Sequence, residues 1–283
     1  MNLPFGTIAY KEFEPKETNK DLEQSQQPII VYFHDVLGSV SQFKDFPQQL
    51  SNSTGLKSMV FDRLGFGQSE ELDFYSKDKE WRKKYLKMYA WDHTPQILDE
   101  YSKYILKNED QKYIIYGHSD GATIALLFAA LQGGIEKSVG LITEAPHAYV
   151  DEQTTKGLQE ARQKFKENNW IEKLKKYQGD RAQMLFDYWL DTWLDNEYAA
   201  SWNIIQDIRG KIKVPHLITH GDKDNFATID QIKEIRDSNE QSIVSIVEDC
   251  GHFPHKEKNE KMIELYSSFI KDEILSKIKR DAL

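Results

Sequence analysis

Residues 112–121 read Lys-Tyr-Ile-Ile-Tyr-Gly-His-Ser-Asp-Gly, an apolar run that delivers Ser119 between Gly117 and Gly121, and the helix-forming stretch 122–131 follows at once. A serine on so sharp a strand-to-helix turn takes up strained backbone geometry, and glycines two places away on each side let neighbouring chain pass close by. The turn lifts the hydroxyl above the edge of a sheet. This marks Ser119 as a candidate nucleophile, with the strand before it and the helix after it as the context such a turn demands.

The rest of the chain alternates in the same manner. Strands are predicted at 7–13, 28–34, 57–62, 112–117, 138–144, 214–220 and 242–248, and helices near 41–52, 94–107, 120–132, 228–237 and 258–279. The polar stretch 14–27 reads as a mobile loop or hairpin tip. Near-continuous apolar strands suit a mostly parallel sheet buried on both faces, so the predicted class is α/β. Two segments fall outside the alternation: 70–93, charged and aromatic, and 146–213, a long helical excursion between the strands at 138–144 and 214–220. All six tryptophans lie in these two segments. The predicted division is a core of 1–145 with 214–283, and an inserted unit of 146–213.

A serine nucleophile needs a base to take its proton and an acid to orient that base. The apolar run 214–220 ends in Gly221-Asp222-Lys223-Asp224, and the β-branched run 242–248 leads to Cys250-Gly251-His252-Phe253-Pro254-His255. Asp224 is the candidate orienter and His252 the candidate base. Asp222 competes with Asp224, since either suits a turn. His255, beside charged residues, reads as solvated. Glu144, at the end of the strand at 138–144, is a third carboxylate able to orient the histidine.

With these residues the chain resembles the α/β-hydrolase superfamily over nearly its whole length. His34-Asp35-Val36-Leu37-Gly38-Ser39 resembles the loop that supplies an oxyanion donor, and Asp62-Arg-Leu-Gly-Phe-Gly-Gln-Ser69 a glycine turn after the next strand. By that match the backbone N–H groups of Val36 and Asp120 would form the oxyanion hole. The resemblance also implies that 146–213 is a helical cap. Asp35 departs from the pattern, standing where the superfamily mostly has glycine. A carboxylate there opposes an oxyanion unless it points away or is neutralised. Hydrolases with a similar acidic residue also carry segments like Ala145-Pro146-His147 and Cys250-Gly251-His252.

The reading that follows is acyl transfer to water, with a small ester, thioester or lactone as substrate and no cofactor. Trp189 and Trp193, four apart on one helix face, and His147, where the chain leaves the sheet, are candidate substrate contacts. The same triad on this fold also serves carbon-carbon bond cleavage and eliminations, and some relatives are non-catalytic ligand-binding proteins; both stay open. Net charge is −9, from 37 basic and 46 acidic residues, which argues against nucleic-acid or anionic-membrane partners. No His-Glu-x-x-His or paired-cysteine spacing suggests a metal, and the one cysteine, Cys250, reads as packing. With no secretory start or membrane span visible, the expected location is cytoplasmic. Oligomeric state is not indicated.

Overall fold

The computed structural model describes residues 1–281, so the last two positions of the expected 214–283 segment lie outside it. One sheet contains β1 (Tyr10–Phe13), β2 (Ile29–Phe33), β3 (Ser58–Phe61), β4 (Tyr113–His118), β5 (Ser138–Glu144), β6 (His216–Gly221) and β7 (Ser242–Val247), in the order β1-β3-β2-β4-β5-β6-β7. Only β1 runs antiparallel. It is shorter than the 7–13 run suggested, because Gly6–Thr7 folds back on Asn2–Leu3 as a separate hairpin. The 14–27 stretch is tied down: Asn19 N–H donates to the Gly55 carbonyl, and Leu22 is buried.

Strand residues alternate between two cores, as the two-residue period of a pleated strand requires. Val31, Phe33, Met59, Ile115 and Leu141 join one core, which includes the helices on one face and the 146–213 segment. Ile30, Tyr32, Val60, Ile114 and Ile142 face the other, against α1 (Phe46–Thr54) and a C-terminal helix that contributes Met262 and Tyr266. Each fully buried aliphatic or aromatic side chain of this kind contributes roughly 1.5–3 kcal/mol relative to exposure. Cys250 belongs to the second core, and burial pushes its thiol up to about 12, consistent with packing rather than nucleophilic chemistry.

The charged 70–93 segment is largely helical. It opens α2 (Lys79–Met88), and Tyr89–His93, Thr94–Glu100 and Tyr101–Leu106 follow without a break. The Asp78 carboxylate caps its start by accepting from Trp81 N–H. Tyr85, Tyr89, Ile97, Leu98 and Tyr101 form its buried side, whereas Lys79, Glu80 and Lys84 are exposed. Two wide turns within the run shift the apolar repeat, which is why the sequence pattern placed the helix start near 94.

Parallel strands end on one edge, and the order reverses between β2 and β4, the position where ligands bind in open α/β sheets. Over that edge lie the helices of 146–213, among them Glu152–Glu167, Trp170–Gln178 and Ala182–Trp193. The buried Gln178 amide fixes this layer to the loop after β2: its Nε2 donates to the Leu37 and Gly38 carbonyls, and its Oε1 accepts from Gly67 N–H. Among the described residues no helix is long and apolar enough to cross a membrane.

Candidate active site

Ser119 stands between β4 and α3 (Asp120–Ala129) at φ 56° and ψ −123°, a strained conformation for a residue with a side chain. Its N–H donates to the Glu144 carbonyl at 2.9 Å, which anchors the turn on the neighbouring strand. The flanking glycines are required by close approach. A Cβ on Gly121 would lie 2.1 Å from the Phe33 carbonyl oxygen, and one on Gly117 would lie 2.3 Å from the Gly121 carbonyl oxygen. Backbone atoms cannot yield to such contacts, so the turn closes only with glycine.

The ends of β4, β6 and β7 bring Ser119, Asp224 and His252 together. His252 Nε2 is 2.9 Å from Ser119 Oγ, and its Nδ1 is 2.7 Å from Asp224 Oδ2. An ionised carboxylate can only accept, so Nδ1 carries the proton and Nε2 is left with a lone pair directed at the hydroxyl. Asp224 Oδ1 accepts from Phe226 N–H at 2.8 Å, so this residue also makes the turn bond that the sequence pattern allowed. Burial disfavours the imidazolium form of His252, but the charge and hydrogen bond of Asp224 outweigh it and raise the pKa above 6.5. The same bond holds Asp224 well below the usual carboxylate range against the opposing effect of burial.

Neither the Val36 nor the Asp120 N–H donates to a protein acceptor among the described residues, and both residues line the cavity that contains Ser119. The Asp120 amide also opens α3, where helix N–H groups favour negative charge. Asp35 lies in the same loop as Val36. Its Oδ1 accepts from Leu37 N–H at 2.9 Å, and its Oδ2 is 3.5 Å from His118 Nδ1.

Other carboxylates and histidines separate in a way the sequence left open. Glu144 does not reach His252: its carboxylate accepts from His255 Nδ1, from His255 N–H at 3.1 Å and from the Tyr266 hydroxyl at 2.7 Å. His255 is therefore buried, not solvated; the short helix Pro254–Glu257 turns its ring inward while Lys256 stays outside. Asp222 Oδ1 accepts from Cys250 N–H at 3.1 Å, a turn-stabilising role.

A cavity of about 500 Å³ opens above Ser119. Trp189 and Trp193 line it, as does His147, and all three are buried. Neither ring nitrogen of His147 has a hydrogen-bond partner among the described residues, and the ring centre is 5.6 Å from that of His252. Burial first, then the neighbouring His252, push its pKa down to about 3, so the ring is neutral. Trp170, Phe165, Phe226 and Phe253 also face the cavity, though nothing in the sequence pattern distinguished them from packing residues. His118 was likewise missed as a functional candidate, although it sits inside the serine motif itself.

The family described as serine aminopeptidase, S33, matches residues 24–259. A proline iminopeptidase of Lactobacillus helveticus is 22% identical over 284 residues, covering 88% of this chain and 91% of the relative. Among solved structures, proline iminopeptidase from Mycobacterium smegmatis superposes with a TM-score of 0.65 at 17% identity, covering 98% of this chain and 99% of that one. A membrane phospholipase A described as a bacterial virulence factor superposes at 0.67 with 18% identity, covering 96% and 84%. These structural likenesses establish the fold, and the match over most of the sequence establishes the kinship: the chain belongs to the serine aminopeptidase, S33, family and is a hydrolase of the α/β-hydrolase fold.

Proposed function

We propose that this hydrolase cleaves small carboxylic esters, thioesters or lactones of apolar acids through an acyl-enzyme on Ser119. The observation that carries the reading is the hydrogen-bond chain Asp224–His252–Ser119 at the floor of an aromatic-walled cavity. His252 takes the Ser119 proton as Oγ attacks the carbonyl carbon, and the Val36 and Asp120 N–H groups hold the oxyanion. The imidazolium then protonates the leaving alcohol or thiol. Water, deprotonated by His252, attacks the acyl-enzyme, and collapse of that second intermediate frees the acid and returns the proton to Ser119. Trp170, Trp189 and Trp193 suit an apolar acyl group, and the unpaired ring nitrogens of His147 suit a polar group of substrate beside the scissile bond. The inserted layer of 146–213 serves in this reading as the cap that closes the site.

A second reading, aminopeptidase activity, is favoured by the function named for the Lactobacillus relative. An aminopeptidase must hold an α-ammonium next to the scissile carbonyl. Of the carboxylates lining the cavity, Asp35 faces His118, which leaves Asp120, whose pKa burial pushes up to about 6. Lys44, Lys164 and Lys256 also line the cavity and disfavour a cationic substrate. The decisive comparison is turnover of p-nitrophenyl esters of increasing acyl length against prolyl- and alanyl-p-nitroanilides. Turnover of the esters, with the anilides slower by about 100-fold or more in kcat/KM, is expected; the reverse order would replace the esterase reading by the peptidase one.

The base must be neutral to work, so the raised pKa of His252 sets the acid limb of the pH profile. Activity is expected to rise with pH through a midpoint above 6.5. Asp224→Asn should move that midpoint to lower pH, because the stabilising charge is gone, and reduce kcat by about 10⁴-fold. A pH–rate profile of kcat/KM for both proteins checks the shift, and a wild-type midpoint at or below 6.5 would contradict the assignment.

A further inference from the structure

His118 occupies the junction of the three segments that build the site. It precedes the nucleophile on β4, its Nε2–H donates to the His252 main-chain carbonyl at 2.8 Å, and its Nδ1 faces the Asp35 carboxylate at 3.5 Å. Its ring is buried against His252 and Phe253, with centroid separations of 5.1 and 4.9 Å. Glu144 lies beneath it, with Oε1 3.8 Å from Nε2, and His255 packs edge-on at 4.9 Å.

His118, Glu144 and His255 are close enough to hold a metal ion, but the hydrogen bonding opposes it. Nε2 of His118 points its N–H at a carbonyl and Nδ1 of His255 at a carboxylate, so neither atom offers a lone pair. The cluster is a hydrogen-bond network. Its chemical problem is Asp35, a carboxylate one residue from the Val36 oxyanion donor.

We propose that His118 is a positioning residue that balances the charge of Asp35 beside the oxyanion hole and, through the His252 carbonyl, ties the oxyanion loop to the loop carrying the base. The two ring nitrogens face two acceptors, Nε2–H the His252 carbonyl and Nδ1 the Asp35 carboxylate. Burial would raise the Asp35 pKa, yet the hydrogen bond and charge of His118 dominate and hold the group far below its ordinary range, with smaller help from Lys256 and His34. The rest of the loop is fixed independently: the Asp35 carbonyl accepts from Arg63 Nη2 at 2.7 Å, from His34 Nδ1 at 2.7 Å and from Gly38 N–H at 3.1 Å. The carboxylate is thus held in place whether or not His118 compensates it. Without the imidazole it would oppose the developing oxyanion and remove much of what the two N–H donors supply, on the order of 10²-fold in rate.

The inference rests on the serine-hydrolase reading, and the test separates the two. Wild type, His118→Gln, Asp35→Asn and the double variant are compared for kcat and KM on a p-nitrophenyl ester, for fluorophosphonate labelling and for melting temperature. Wild type without label on Ser119 would fail the hydrolase reading itself. Given labelled wild type, His118→Gln is expected to lose about 100-fold in kcat with KM within about threefold, and Asp35→Asn alone to stay within about fivefold of wild type. Adding Asp35→Asn to His118→Gln should recover at least tenfold, since it removes the charge left uncompensated. A double variant no better than His118→Gln, or a His118→Gln enzyme as fast as wild type, would overturn the proposal. If His118→Gln does not fold, His118→Asn takes its place; folding of either only with Asp35→Asn present supports charge balance, and failure in both backgrounds assigns His118 a purely structural role.

Discussion

Ser119→Ala is expected to reduce ester hydrolysis by roughly 10⁶-fold, a loss of about 8 kcal/mol of transition-state stabilisation, while leaving the fold unchanged. The size follows from the mechanism. Without Oγ there is no acyl-enzyme, and His252 loses the hydroxyl proton it is placed to remove. The fold tolerates the change because the strained turn is held by the Ser119 N–H bond to the Glu144 carbonyl and by the two glycines, none of which involves the hydroxyl. Turnover by purified Ser119→Ala and mass-spectrometric location of a fluorophosphonate adduct on wild type check this together. Residual activity within tenfold of wild type, or an adduct on another residue, would remove Ser119 from the mechanism.

Glu144→Ala is expected to destabilise the fold by about 3 kcal/mol or more. Its carboxylate satisfies the His255 ring N–H, the His255 main-chain N–H and the Tyr266 hydroxyl, all buried; Tyr266 keeps Thr219 Oγ1 at 2.7 Å, so the two His255 donors are orphaned, at about 1–3 kcal/mol each. The direction of its pKa shift agrees. Burial raises it, but His255 and Tyr266 bonding and nearby histidine charge bring it down to about 2 from 4.5. A carboxylate with a depressed folded pKa adds stability that is fully present above 4.5 and is lost as pH falls through about 2. Urea unfolding near pH 7 should therefore show the full difference between wild type and Glu144→Ala, and near pH 2 much less of it. Equal stability of the two proteins at pH 7 would show that the buried network adds nothing. Asp224→Asn gives the contrast, since its loss falls on turnover.

The two residues also show where sequence reasoning stops. Glu144 and Asp224 both follow apolar strands, and either carboxylate is chemically able to orient an imidazole. The choice depends on register: His118 pairs with Glu144 in the sheet, which sets Glu144 below the nucleophile strand and toward Tyr266, out of reach of His252. His255 reads as solvated because its neighbours in the chain are charged, but the short helix Pro254–Glu257 turns successive side chains by about 100°, which buries Pro254 and His255 and exposes Lys256 and Glu257. The helix start at Lys79 was hidden for a similar reason. Lys79 and Lys84 are exposed on its outer face, and the wide turns interrupt the regular repeat of its buried tyrosines.

What is local and repetitive was legible in the chain. Apolar runs of five to seven residues have few ways to be buried other than as strands, and Gly-x-Ser-x-Gly between such a run and a helix admits essentially one backbone path. From these came the parallel sheet and the nucleophile turn at Ser119, whereas the choice among Asp222, Asp224 and Glu144 as the partner of His252 did not follow from the chain. Contacts between residues more than a hundred positions apart were set by how the elements pack: His118 with the His252 carbonyl, Glu144 with His255, Gln178 with the loop after β2. Such contacts leave no periodicity in the chain. Each depends on which face a ring or carboxylate takes once the strands have paired, and a one-residue difference in register would have sent it elsewhere.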